Sequence, residues 1–267
     1  MKRFAVIGDP IAHSLSPVLH NEVYRQLEMD ASFEKIHVKP DALHSFMDTQ
    51  SLDGFNVTIP HKQSIIPFLD ELDDAAQIIG AVNCVHNGKG YNTDWIGFLK
   101  AMEFNDVELN GKDCAILGAG GVAHAIAYAL IKAKVNSITI MNRTTEKTDQ
   151  LTQWIQKVSD IKAETHKHLN TSKYAITIHC TPIGMWPDTE SMPEFEIQKG
   201  QVLADTIYNP LETAWLKKGE KLGAKTVGGL DMFIAQGLAS ANIWFNEKIS
   251  EKIKLEPLKL GLKSELC

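Results

Sequence analysis

The chain has 267 residues, 44% of them hydrophobic, and a formal net charge of −6 at pH 7. That length and apolar content can bury a large core, in one big domain or two moderate ones, while the dispersed basic residues argue against a nucleic-acid partner. With no apolar run of about eighteen residues, and with Met1-Lys2-Arg3 leading straight into the strand-like Phe4-Ala5-Val6-Ile7, neither a membrane span nor a secretory leader is expected, and the chain reads as cytoplasmic.

Short apolar runs alternate with amphipathic segments almost throughout, the pattern of parallel strands joined by crossover helices, so the class is α/β. Cys84, Cys114, Cys180 and Cys267 are widely spaced, and the first three lie in or beside apolar stretches, as buried free thiols do. No disulfide and no metal site are expected.

Taken in chain order, Ser14-Leu15-Ser16-Pro17 precedes a helix with Val18, Leu19, Val23, Tyr24 and Leu27 at helical spacing. Ser16 reads as its N-cap and Pro17 as its first residue; two hydroxyls at a helix N-terminus also make a site for a small carboxylate. Phe55 to Ile59 is a strand running into a polar turn, Pro60-His61-Lys62. Gly80-Ala81-Val82-Asn83 and Asn92-Thr93-Asp94 follow, with Asp94 opening an amphipathic helix to Glu103. Asn110-Gly111-Lys112 is a turn at which a second domain can begin.

The sharpest local pattern is Gly118-Ala119-Gly120-Gly121-Val122-Ala123, between the strand Cys114 to Leu117 and an Ala-rich helix reaching about Lys134. It reads as a dinucleotide-binding turn: Gly118 for the tight turn, Gly120 for close approach of a diphosphate, Ala123 where a third small residue permits helix packing. The next strand, Ser137 to Met141, ends in Asn142-Arg143-Thr144, with Lys147 just beyond. An NAD enzyme places a carboxylate there, about 20 residues past the glycines. Arg143, Thr144 and Lys147 instead suit the 2′-phosphate of NADP, or form a helix start with solvated basic neighbours. The final apolar segment, Asp231 to Phe245, reads as a buried helix with Asp231 as N-cap; from Ile249 onward a short surface helix and a frayed tail are expected.

Taken together, the serine pair, Asn56-Val57-Thr58-Ile59-Pro60-His61-Lys62, Gly80-Ala81-Val82-Asn83, Asn92-Thr93-Asp94, the glycine turn and Asn142-Arg143-Thr144 resemble the shikimate dehydrogenase family in type and order. The resemblance implies two α/β domains with the active site in the cleft between them: a substrate-binding domain, 1–103, completed by C-terminal helices in 231–267, and a Rossmann-like NADP-binding domain, 104–230. It implies hydride transfer between NADPH and 3-dehydroshikimate to give shikimate, a step of aromatic amino-acid biosynthesis, in a monomer or homodimer. Ser14 and Ser16 would hold the substrate carboxylate, and Thr58, Asn83 and Gln236 its hydroxyls. Lys62 and Asp94 would form the catalytic pair and also touch substrate, and Tyr208 would close over it. Gly118, Ala119, Gly120, Gly121, Val122, Asn142, Arg143, Thr144 and Lys147 would hold the cofactor, with backbone of Thr206 and Gly229 near the nicotinamide and Asp74 also near the cofactor. One departure stands out: His179-Cys180-Thr181-Pro182-Ile183-Gly184 replaces the Asn-Ala-Thr-Ser-x-Gly of many members. Three other readings remain open on the sequence: a quinate/shikimate dehydrogenase preferring NAD, a non-catalytic module sensing a shikimate-like ligand, and a methylenetetrahydrofolate dehydrogenase. The missing carboxylate at the strand tip, the retained Lys62 and Asp94, and the serine pair count against them in turn.

Overall fold

The computed structural model describes residues 1–166, 173–193 and 196–266, so Cys267 lies outside the described residues. The chain divides into two units, Met1–Thr93 with Ile234–Glu265, and Asp94–Phe233.

The first unit runs β1 (Lys2–Gly8), α1 (Ser16–Gln26), β2 (Ala31–His37), α2 (Leu43–Thr49), β3 (Gly54–Val57), α3 (His61–Ser64), β4 (Glu71–Leu72), α4 (Asp74–Ile79), β5 (Cys84–His86) and β6 (Lys89–Tyr91). The strand order is β2-β1-β3-β5-β6-β4. Parallel β2 and β3 flank β1 on both sides, which is why Phe4 to Ile7 is a continuous apolar run and is buried throughout. Not every pair is parallel: β5 runs antiparallel to β3, and β5 and β6 form an antiparallel hairpin. Asn87 and Gly88 both take positive φ between them, and two such residues close a tight hairpin that needs no crossover helix.

The second unit runs α5 (Asp94–Phe104), β7 (Asp113–Leu117), α6 (Gly121–Lys132), β8 (Ser137–Met141), α7 (Thr145–Val158), β9 (Lys162–Thr165), β10 (Ile176–His179), β11 (Val202–Asp205), α8 (Ala214–Lys221) and β12 (Lys225–Val227). Its strands pair in parallel in the order β12-β11-β10-β7-β8-β9. The chain builds outward from β7 through β8 to β9, then returns to the other side of β7 with β10. The order therefore reverses between β7 and β10, and the crevice outside the carboxyl ends of those strands is where an open parallel sheet binds its ligand. Ile116, Ile126, Leu130, Ile138, Ile140, Leu151 and Ile178 fill the core, and Ala123 and Ala127 let α6 lie close.

Three helices complete the described chain: α9 (Gly229–Phe245), α10 (Ile249–Lys252) and α11 (Leu255–Ser264). Asp231 does not cap α9. The helix starts two residues earlier, at Gly229, and Asp231 lies in its first turn, accepting from Asn105 Nδ2 at 2.9 Å. Nor is the C-terminal segment frayed: α11 lies on α1 with Leu258 and Leu262 fully buried, a gain of about 1.5–3 kcal/mol for each. The Gln26 amide seals that junction, donating to Lys254 O at 3.2 Å and accepting from Lys254 N at 2.9 Å.

Candidate active site

At the start of α1 the serines are neighbours, with Ser14 Oγ donating to Ser16 Oγ at 3.2 Å and accepting from Ser16 N at 3.3 Å. Ser16 is not the N-cap. Leu15 holds that position without a side-chain bond, and Ser16 is already helical, its hydroxyl bonded to Ser14 Oγ. Two adjacent hydroxyls at the start of an eleven-residue helix, whose dipole favours negative charge there, make a corner suited to an anion.

Beyond β3, Thr58 N donates to Ile7 O and Thr58 O accepts from His61 N, so the chain turns tightly into α3. The buried His61 ring anchors that turn through Nε2 and Val38 O, 2.6 Å apart. Half-buried Lys62 follows, and its carbonyl accepts from Val82 N at 2.7 Å, which holds the lysine beside the Gly80–Asn83 segment.

Asn83 is oriented from both ends. Its Oδ1 accepts from Thr93 N at 2.7 Å, while Nδ2 donates to Thr93 Oγ1 at 3.0 Å and to Gln236 Oε1 at 3.4 Å. Below it, Asn56 Nδ2 donates to Asn83 O at 3.0 Å and to Ser240 Oγ at 2.9 Å, and Ser240 Oγ donates to Gln236 O at 3.1 Å. Asn83 and Gln236, far apart in sequence, are thus brought together with their amide orientations set by neighbours. Sequence reasoning missed the supporting roles of Asn56, Thr93 and Ser240; the one available signal was Ser240 lying four residues after Gln236 in an otherwise apolar helix.

Asp94 and Tyr208 belong to the second unit. Asp94 is buried and opens α5 directly after Thr93. Tyr208 stacks on Phe233 at 4.5 Å between centroids, and burial pushes its phenol pKa upward.

In the glycine turn the three glycines do two different jobs. Gly118 has φ +107°, and a Cβ there would come within 2.8 Å of Thr181 Cγ2 and 2.9 Å of Cys180 O, so the fold itself demands glycine. A Cβ at Gly120 or Gly121 would meet nothing within 4 Å. Packing within the chain therefore does not explain those two, whereas close approach of a diphosphate to the backbone does. No side chain caps α6, whose first N–H groups and dipole favour that charge. Ala119 is buried, and Val122 packs against the core. At the end of β8, Asn142 Nδ2 donates to Thr144 O at 3.1 Å, shaping the turn from which Arg143, Thr144 and Lys147 project, all exposed. Thr144 stands at the cap position of α7 without a side-chain bond, and neither Arg143 nor Lys147 joins an ion pair among the described residues. These groups fit NADP. Thr206 N and Oγ1 both donate to His179 O, and a Cβ at Gly229 would lie 2.4 Å from Ile207 O. Asp74 is exposed at the first position of α4, in the first unit rather than with the glycine turn.

The family model of the shikimate dehydrogenase substrate binding domain matches residues 6–85, and that of shikimate / quinate 5-dehydrogenase matches residues 99–182. A shikimate dehydrogenase (NADP(+)) of Methanococcus maripaludis is 39% identical over 261 residues, covering 92% of each chain. This chain belongs to the shikimate dehydrogenase family. It is similar to the crystal structure of a family member in complex with NADP+, with a TM-score of 0.92 and 36% identity, covering 100% of this chain and 96% of the other. The ligand-free 5-ketofructose reductase of a Gluconobacter strain is also similar, with a TM-score of 0.87 and 30% identity over 98% of each chain. The fold alone therefore does not fix the substrate, and the side chains of the first unit must.

Proposed function

We propose that this chain catalyses the NADP-dependent interconversion of 3-dehydroshikimate and shikimate, with Lys62 as proton donor and acceptor and Asp94 as its carboxylate partner. The observation that carries the substrate reading is the Ser14–Ser16 pair at the start of α1, a corner for a carboxylate. Shikimate has a carboxylate and 5-ketofructose has none, so this corner separates the two substrates found on this scaffold.

When bound, NADPH supplies the hydride. The protein supplies the proton and the geometry. In the reducing direction the Lys62 ammonium donates a proton to the carbonyl oxygen as that oxygen becomes a hydroxyl, and the neutral amine is recharged from solvent; in the oxidising direction the amine takes the proton back. Asp94, buried at the start of α5, orients the lysine and accepts from a substrate hydroxyl. Thr58 and the coupled Asn83 and Gln236 amides complete recognition of the hydroxyls, and Tyr208 covers the ring.

The deciding experiment is a spectrophotometric assay of shikimate and quinate with NADP and NAD. Shikimate with NADP should be the efficient pair, and preference for quinate with NAD would overturn the reading. Lys62→Ala should cut turnover by about 10²- to 10⁴-fold with little change in shikimate affinity. Near-normal turnover in that variant would remove Lys62 from the chemistry.

A further inference from the structure

At the carboxyl end of β10 lies a chain of buried polar groups that the reading above does not use. His179 and Asp205 are almost completely buried, and His179 Nδ1 lies 3.2 Å from Asp205 Oδ1. Asp205 Oδ1 also accepts from Ile207 N at 3.0 Å, and its Oδ2 accepts from Thr213 Oγ1 at 2.8 Å. On the other side of the ring, Nε2 makes a very short bond with Thr181 Oγ1, which in turn accepts from Ile183 N at 3.2 Å. A carboxylate can only accept, so the Nδ1–H faces Asp205, and in the neutral ring Nε2 accepts from the Thr181 hydroxyl.

Topology says what lies above this chain. The sheet order reverses between β7 and β10, and a dinucleotide crosses an open parallel sheet at that point. The phosphate-reading groups Arg143 and Lys147 follow β8, on one side of the reversal, which leaves the nicotinamide half for the β10 and β11 side. Three segments meet there, and His179 touches all of them directly or through one bond. Thr181 Cγ2 packs on Gly118, His179 O takes both donors of Thr206, and Asp205 holds the turn leading to Tyr208.

The geometry points to His179 as a positioning residue for the nicotinamide half of NADP, acting through Thr181 and Asp205 rather than by touching the reacting atoms. Losing the Thr181 bond frees the wall opposite Gly118 while leaving the distant adenosine half as it was. The inference rests on NADP binding by the second unit, so the test carries its own control for that.

The experiment compares two ligands, NADP+ and adenosine 2′,5′-bisphosphate, which keeps the phosphate-reading half and lacks the nicotinamide, on wild type, Thr181→Val, His179→Asn and the double variant. Valine is isosteric and removes only the hydroxyl. Asparagine reaches Asp205 but is too short to reach Thr181 as well. Each single variant should bind NADP+ about 3- to 10-fold more weakly with unchanged affinity for the bisphosphate, and the double variant should be no worse than either single one. An equal loss for both ligands, additive losses, or unchanged NADP+ binding by Thr181→Val would each overturn the proposal. Wild-type protein that failed to bind the bisphosphate would overturn the coenzyme assignment and this inference with it. Thr181→Val sits on a partly exposed loop, so its result stands even where His179→Asn does not fold.

Discussion

Asn56 Nδ2 donates to Ser240 Oγ at 2.9 Å with both side chains buried, so one bond ties β3 to α9 beneath Asn83 and Gln236. Ser240 also backs the Gln236 carbonyl, and Asn56 backs the Asn83 carbonyl. Ser240→Ala should therefore lower stability by about 1–2 kcal/mol and also raise KM for shikimate several-fold, because the amides above lose their orientation. Thermal melts and steady-state kinetics on the same preparation read both. A lower Tm with an unchanged KM would make the network structural only.

Ser14→Ala and Ser16→Ala should each weaken shikimate binding by about 0.5–3 kcal/mol. Ser16→Ala should leave Tm nearly unchanged, since that hydroxyl caps no backbone group, whereas Ser14→Ala should lower it slightly by stripping the acceptor of Ser16 N. Calorimetric binding of shikimate and of its carboxamide separates the cause. If both ligands lose equally, the serines do not read the carboxylate.

What was legible in the sequence was what is local. The run Phe4 to Ile7, the glycine turn between a strand and an Ala-rich helix, and the basic tip after Met141 each declare themselves within a few residues, because period and turn chemistry are short-range. Ser16 misled as a cap because Ser14 two residues upstream does the satisfying, and cap and first-turn positions differ by a single residue. Leu258 and Leu262 were hidden among lysines and glutamates, although their spacing of four is that of one buried helical face. The pairs Asn56 with Ser240 and His179 with Asp205 were not legible, since only tertiary folding brings such distant residues together.

His20 gives the fold an acid limit. Its ring is buried and stacked on Phe33 at 4.3 Å, and burial pushes its pKa from 6.5 down to about 3. Between those values the unfolded chain binds a proton that the folded chain excludes, so this contribution is complete above pH 6.5 and is lost progressively as pH falls toward 3. The slope approaches about 1.4 kcal/mol per pH unit for one proton. Urea unfolding of wild type and His20→Phe from pH 7 to pH 4 isolates it, because every other group titrates in both proteins. The aromatic variant should lose less stability on acidification, and parallel curves would show that His20 is protonated within the fold.

Coenzyme choice is the most discriminating test of the second unit. Arg143 and Lys147 project from the turn after β8 with no ion-pair partner among the described residues, and the 2′-phosphate is the one feature NADP has and NAD lacks there. Their bonds to it are charge-assisted but exposed, which reduces each below the value for a buried contact. Arg143→Ala combined with Lys147→Ala should raise KM for NADP by about ten- to a hundredfold while leaving the weaker NAD reaction nearly unchanged. Exposed charges are also screened, so raising ionic strength should weaken NADP binding to wild type more than NAD binding, and the difference should shrink in the double variant. Steady-state kinetics with both coenzymes at two salt concentrations measures all of this. Equal losses for NAD and NADP would show that the two residues support the turn or the diphosphate instead of reading the 2′-phosphate, and a salt effect identical for both coenzymes would say the same by an independent route.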